Sequence, residues 1–91
     1  MANIIITLKV VLASPETDVE SVKEKAINAV EEYGADIGRV EIEEVAYGIK
    51  AVKIMLISDE EKGSTDALED KIKGLEGVSS VEVVDVRRAI G

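Results

Sequence analysis

The feature that most constrains the fold of this 91-residue chain is the pair Tyr47-Gly48, which separates two runs rich in β-branched and aliphatic residues. Gly48 can take the positive φ that a tight turn requires, and the flanking runs, 37–47 and 49–58, have the composition of strands. Two strands joined by so short a turn must pair antiparallel. We therefore predict a central β-hairpin. Tyr47 leaves two interpretations open: its ring caps the end of the core, or it faces a partner as an anchor.

The residues before the hairpin predict a strand and then a helix. A strand over 3–13 is predicted from apolar residues at alternate positions, namely Ile4, Ile6, Leu8, Val10 and Leu12. Thr17 and Glu20 have the spacing of a capping box. Apolar residues then recur every three or four positions up to Gly34, a typical helix terminator. This pattern predicts a helix over 18–33.

The residues after the hairpin repeat the helix-and-strand pattern. The hydrophilic run Asp59–Gly63 predicts a solvated loop. Three successive N-cap candidates from residue 64 to residue 66 predict a helix over 65–75, and Val78 onward predicts a strand over 78–87. Apolar residues at both parities in that last strand predict either a bulge or burial on both faces. A break in parity near Glu43-Glu44 predicts another bulge.

The order of these elements is strand, helix, strand, strand, helix, strand. This order predicts an α+β fold, the ferredoxin-like split βαβ sandwich, in which a four-stranded antiparallel sheet carries two helices on one face. Right-handed crossovers place the first and third strands in the middle of the sheet. Because the chain has room for one core only, we expect residues 1–91 to form a single domain.

Composition excludes several classes of function. The chain has no cysteine and no histidine, so thiol chemistry, zinc knuckles and histidine general bases are absent. We predict no metal site, no cofactor and no covalent catalysis, since no nucleophile stands beside a base. A formal net charge of −8 disfavours nucleic acid and allows a basic protein surface as partner. No apolar run is long enough to span a membrane, and we expect a cytoplasmic protein.

The fold alone does not fix the function, but a known function of this fold can be excluded where the residues that it requires are missing. Metal chaperones of this architecture need a Cys-x-x-Cys loop after the first strand, where this chain has Ala13–Glu16. RNA-binding domains stack bases on aromatic residues of the central strands, which here offer Lys9 and Lys53. What remains unusual is Arg87-Arg88, the single adjacent basic pair of the chain. It forms either a solubilising terminus or a functional cation site.

Three segments together resemble a known family. Val45–Lys50, then Asp59–Lys62 and Thr65–Glu69 at the same offsets, are similar to the guanine nucleotide exchange domain of translation elongation factor 1-beta, in its archaeal form. That family carries a Tyr/Phe-Gly-Ile-Lys hairpin, an acidic loop and a Thr-Asp-x-Leu-Glu helix start in this order. The resemblance covers the whole chain and is strongest from Val45 to Leu75.

The resemblance implies that this protein promotes GDP release from elongation factor 1-alpha, so that GTP can rebind. The family's hairpin contacts the partner, which assigns that role to Tyr47, Gly48, Ile49 and Lys50. A basic residue at the end of the family's last strand approaches the magnesium and phosphate region of the partner. We assign this role to Arg88, with Arg87 as its neighbour, although ungapped alignment from the hairpin places Ala89 there.

The alternative hypothesis is a small-molecule-sensing regulatory module on the same fold, which would pair its sheets across a dimer. The chain shows no recognisable ligand motif that favours it. For an exchange factor we expect a free monomer that binds the GTPase and makes no direct contact with nucleic acid or membrane.

Overall fold

The computed structural model describes residues 3–59 and 65–89. Its elements are β1 (Asn3–Leu12), α1 (Val19–Tyr33), β2 (Asp36–Ala46), β3 (Ile49–Asp59), α2 (Asp66–Lys73) and β4 (Val78–Ala89). Each predicted strand and helix is present, with bounds within two residues of those predicted. Of the predicted loop 59–63, Asp59 is the last residue of β3, and the rest lies outside the described residues.

The four strands form one antiparallel sheet in the order β2-β3-β1-β4. The predicted central position of the first and third strands is confirmed, and so is the α+β ferredoxin-like fold. β1 pairs with β3 from Asn3 opposite Asp59 to Val11 opposite Ala51 without a register break. The two central strands therefore provide a regular platform, and the irregularities fall on the edge strands.

The core lies between one face of the sheet and the two helices. Alternate residues of β1 point into it, as the parity of the sequence predicts, and Leu8 and Val10 have no exposed surface. The helices contribute one apolar stripe each to the same core: Val22, Ala26, Ala29 and Val30 from α1, and Leu68 and Ile72 from α2. The opposite face of the sheet, called the open face below, carries Thr7 and Lys9 of β1 and their neighbours on the other strands.

Helix α1 begins one residue later than the predicted capping box requires. Its N-cap is Asp18, whose Oδ1 accepts a hydrogen bond from the Ser21 backbone N–H at 3.3 Å. The Thr17 side chain is engaged in the preceding turn instead, where its Oγ1 accepts from the Ser14 N–H at 3.2 Å. The capping-box prediction was therefore wrong, since a local turn competes for the same hydroxyl. Gly34 ends the helix as predicted, with φ 100°.

Bulges interrupt both edge strands. The register of β2 against β3 leaves Gly38 and Val45 as extra residues, and that of β4 against β1 leaves Ser79 and Val84. The bulge predicted near Glu43-Glu44 thus lies at Val45. Of the two alternatives for the last strand, the bulge is confirmed and burial on both faces is wrong.

Three valines of β4 show why that strand is not buried on both faces. Val83 and Val86 are 36% and 59% exposed on the helix side, where the eight-residue α2 is too short to cover the whole strand, and Val84 is 43% exposed at the bulge, on the open face. The extra residue, Val84, also changes which side chains of β4 share a face.

Within the described ranges, neither helix has the length and apolar character needed to cross a membrane.

Candidate functional site

The β2–β3 hairpin closes through a two-residue turn of type I′. Tyr47 has φ 52° and Gly48 has φ 78°, and positive φ at both central residues defines this turn. Ala46 and Ile49 are the paired residues that flank it. The fully buried residues of β3 nearest the turn are Ala51 and Val52, so the turn lies beyond the end of the core.

The side chain of Tyr47 is 95% exposed. The interpretation that its ring caps the core is therefore wrong. Tyr47 is also the one non-glycine residue with positive φ among the described residues. This backbone conformation is unfavourable for L-residues, and besides glycine it is best tolerated by asparagine and aspartate. Neither burial nor turn preference explains a tyrosine here. An aromatic side chain in this position is typical of a contact with another molecule.

The neighbours of Tyr47 complete a small surface at this end of the sheet. Lys50 is exposed and lies opposite Glu44 in the hairpin, and Ile49 is half-buried. A Cβ placed on Gly48 would come within 3.5 Å of Pro15 Cβ, so the hairpin turn lies beside the β1–α1 loop. The four predicted hairpin residues, Tyr47 to Lys50, thus share one end of the sheet with the β1–α1 loop.

The two arginines lie at the far end of β4, on opposite faces of the sheet. Arg87 pairs with Ile5 and extends over the open face, where its Nε donates to Asp85 Oδ2 at 2.9 Å. Arg88 pairs with Ile4, whose side chain packs against the core, and is exposed on the helix side. Because the Arg87 side chain is 76% exposed, its ion pair contributes little to stability.

The structure does not bring the hairpin and the arginines together. The row of Arg87 crosses β1 at Ile5, whereas the hairpin lies past Val11 at the opposite end of the strand. At about 3.3 Å per residue, Tyr47 and Arg87 are separated by roughly 30 Å, within a molecule whose longest extent is 42 Å. The predicted residues thus lie in two separate groups at opposite ends of one sheet.

A third feature, on the open face, was not predicted from the sequence. A groove of about 330 Å³ crosses the strands there. Its lining comprises Thr7, Arg39, Glu41, Lys53, Met55, Val84, Asp85 and Arg87. Strand parity places Lys53 and Met55 on this face, whereas Asp85 and Arg87 reach it only through the Val84 bulge, which the sequence predicted as one of two alternatives for the last strand.

Among the residues that the structure describes, no cluster of three or more acidic side chains is arranged to hold a metal ion. Exposed acids instead pair with bases across the surface. Arg39 pairs with Glu41 at 3.2 Å, and Lys71 pairs with Glu32 between the two helices. The two ends of the sheet provide an exposed aromatic side chain and cations.

Comparison with known families decides between the hypotheses for this fold. The EF-1 guanine nucleotide exchange domain matches residues 5–89. The chain belongs to this family. The match includes the hairpin, both helices and the arginine end of β4, so the resemblance drawn from the three sequence segments is confirmed.

Relatives in this family match over nearly their whole length. Elongation factor 1-beta of Methanothermobacter thermautotrophicus is 35% identical over 88 residues, covering 97% of this chain and 98% of that protein. The proteins of the same name from Natronomonas pharaonis and Staphylothermus marinus are each 39% identical, over 88 and 89 residues. They cover 97% of this chain and 99% and 98% of their own lengths. These relatives support a role in translation elongation through guanine nucleotide exchange.

Solved structures with the same fold are more distant. The ACT domain from GTP pyrophosphokinase of Chlorobium tepidum superposes with a TM-score of 0.65 at 16% identity, covering 90% of this chain and 99% of that domain. The C-terminal domain of the MgtC protein from Mycobacterium tuberculosis gives 0.68 at 10% identity, covering 94% and 87%. At such identities the likeness shows the ferredoxin-like fold alone.

Proposed function

We propose that this member of the EF-1 guanine nucleotide exchange family promotes release of GDP from elongation factor 1-alpha without covalent chemistry. The observation that carries the proposal is Tyr47, a tyrosine 95% exposed at the tip of the hairpin. Family membership identifies nucleotide exchange as the process. The exposed ring identifies where a protein partner would be held.

The hairpin supplies binding. An aromatic ring that is exposed in the free protein buries a large apolar area when it enters a pocket, and such residues dominate the energetics of many interfaces. Its two-residue turn fixes the backbone, so little flexibility is lost on association. Gly48, Ile49 and Lys50 complete this contact surface, with Lys50 supplying a cation for an acidic group of the partner.

The arginine end of β4 weakens the binding of GDP to the partner. In a GTPase, magnesium bridges the phosphates to the protein. A guanidinium placed in that region competes electrostatically with the magnesium and so weakens the affinity for GDP. Arg88 is the residue to which we assign this role, and Arg87, on the other face of the strand, assists. Because binding free energies are linked, incoming nucleotide must weaken the hold of the exchange factor in turn.

The distance between the two ends sets a requirement on the partner. Its surface must contact the hairpin and the arginines roughly 30 Å apart, so the partner must be larger than a peptide or a small ligand. The open face and both helices lie between these ends. A GTPase of ordinary domain size meets this requirement, whereas a small-molecule-sensing module gives no role to an exposed aromatic tip.

The decisive experiment is release of labelled GDP from elongation factor 1-alpha with and without this chain. Arg88→Ala is expected to slow release sharply, and Arg87→Ala to slow it less. Arg88→Lys is expected to retain part of the activity, because the site needs a cation more than a planar fork. Measurements at several magnesium concentrations test the mechanism, since competition predicts weaker stimulation when magnesium is raised.

Lys25→Ala is the control, because Lys25 is an exposed cation of α1 and belongs to neither the hairpin nor the arginine end. It is expected to exchange nucleotide at the unaltered rate. If both arginine variants also exchange at that rate, the cation account is wrong for this chain. If the unaltered chain does not stimulate release at all, the proposed activity itself is wrong.

The proposed function also has consequences for the domain organisation, oligomeric state and location of the protein. We propose that residues 1–91 act as one exchange domain and that the free protein is a monomer, with no contact to nucleic acid or membrane. We also propose a cytoplasmic location, since translation factors act where ribosomes are. Sedimentation of the free chain and of its mixture with elongation factor 1-alpha tests the monomer and the complex together.

A further inference from the structure

The groove on the open face carries a charge opposite to that of the protein. Three cationic side chains, Arg39, Lys53 and Arg87, and two carboxylates, Glu41 and Asp85, line it, for a net charge of +1. The chain as a whole carries −8. A concave surface focuses the field of its own charges, so this groove attracts an anion although the net charge of the protein repels it.

The floor of the groove offers an unused hydroxyl. Thr7 is 9% exposed, and its hydroxyl makes no hydrogen bond within the described part of the chain. No fully buried side-chain oxygen or nitrogen of the described residues lacks a partner, so this hydroxyl must be reached from the groove. Met55, on β3, and Val84, at the β4 bulge, add apolar surface beside it.

The middle of the open face also carries an unfavourable pair. Lys9 and Lys53 are directly opposite each other on the two central strands, and like charges in this position are destabilising. Lys53 reaches Glu43 at 3.5 Å. Lys9 faces Glu82 across β1 and β4, yet it forms no ion pair within 4 Å among residues 3–59 and 65–89. Glu41, directly opposite Lys53 on β2, and Glu43 offset part of this repulsion, and an anion bound between the strands would offset more of it.

We propose that the groove binds a small phosphorylated metabolite, with its phosphate above the Thr7 hydroxyl and between Lys53, Arg39 and Arg87. Cations on both sides and a hydroxyl donor below suit a multiply charged oxyanion. The two arginines now pair with Glu41 at 3.2 Å and with Asp85 at 2.9 Å. Both are more than two-thirds exposed, so they can turn from these carboxylates to a phosphate at little cost.

The groove favours a metabolite over a segment of another protein for two reasons. Its volume, about 330 Å³, is in the range of small-ligand sites. Its apolar lining is limited to Met55 and Val84, which suits the short body of a phosphate ester. The proposal shares Arg87 with the arginine end but does not depend on nucleotide exchange, because it uses neither the hairpin nor Arg88.

Amide chemical-shift titration of the ¹⁵N-labelled full chain tests the site. The probes are inorganic phosphate, inorganic pyrophosphate and a nucleoside 5′-monophosphate, with chloride at matched ionic strength as the reference for general screening. We expect saturable shifts centred on Thr7, Lys53 and Asp85 with the phosphates and none with chloride. Tighter binding of the ester than of inorganic phosphate would identify an esterified ligand, and equal binding would identify free phosphate.

Variants distinguish a formed site from general attraction. Lys53→Gln is expected to weaken binding about tenfold, the loss of one charge-assisted hydrogen bond, and Thr7→Val several-fold with the fold intact. Lys25→Gln removes the same charge from α1 and is expected to leave the affinity unchanged. Shifts that do not saturate, shifts spread over the lysines of both faces, or equal effects of Lys53→Gln and Lys25→Gln would each overturn the proposal.

Discussion

Replacing Tyr47 by asparagine is expected to make the free protein more stable while making it a poorer exchange factor. Tyr47 has φ 52° in the type I′ turn, where an L-residue with a large side chain costs roughly 1–2 kcal/mol relative to the usual regions. Asparagine tolerates this conformation and is the preferred residue at that position. Because the ring is 95% exposed, its removal sacrifices almost no burial.

The gain is therefore a fraction of the backbone cost, about 0.5–1 kcal/mol in the free energy of unfolding. For a domain of this size such a change raises Tm by about 2–8 °C. Equilibrium denaturation should show a higher midpoint at an unchanged slope, because the surface exposed on unfolding is the same. Tyr47→Ala provides the matched control, since alanine also lacks the ring and keeps the unfavourable φ. It is expected to leave stability near that of the unaltered chain.

The second readout is nucleotide exchange on elongation factor 1-alpha. Both Tyr47 variants are expected to need a higher concentration of the chain for half-maximal stimulation of GDP release, because an exposed aromatic anchor is lost. A fall of about 3 kcal/mol or more in stability would show that the ring is buried in solution. Unchanged exchange with either variant would show that the exposed tyrosine is not a contact.

Three further substitutions test the framework. Leu8→Ala, at a fully buried position of β1, is expected to cost about 2–5 kcal/mol in chemical denaturation; a cost below 1 kcal/mol would contradict the assigned core. Gly77→Ala is expected to destabilise by about 1–3 kcal/mol, because Gly77 has φ 92° and a Cβ there would lie 2.8 Å from Thr17 Cγ2; an unchanged midpoint would refute this contact. Asp18→Ala is expected to cost about 1 kcal/mol by loss of the helix cap, whereas Thr17→Val should cost less if Asp18 is the cap.

The fold follows from the sequence because its local signals agree with one another. Alternation along β1, from Ile4 to Leu12, predicts the face that packs on the helices, and the short Tyr47-Gly48 turn predicts the pairing of β2 and β3. Each signal depends on neighbours a few residues away. Agreement among such signals is what allows one sequence to specify one topology.

The site is less predictable because it depends on contacts between distant residues. The parity of the last strand predicts a bulge only as one of two alternatives, yet the bulge at Val84 determines that Arg87 shares the open face with Thr7. Exposure of Tyr47 likewise depends on how far the hairpin extends past the core. Competition between Thr17 and Asp18 for the helix cap depends on the geometry of the preceding turn.

The distance between the hairpin and the arginines makes the sheet a stiff spacer with one proposed contact point at each end. Two contacts on a rigid spacer act as a bivalent ligand, in which the first to engage raises the effective concentration of the second. Release of one end then leaves the other attached. Under the proposed function, nucleotide entering the GTPase expels the arginine end while Tyr47 still tethers the partner, and the exchange factor departs in two small steps.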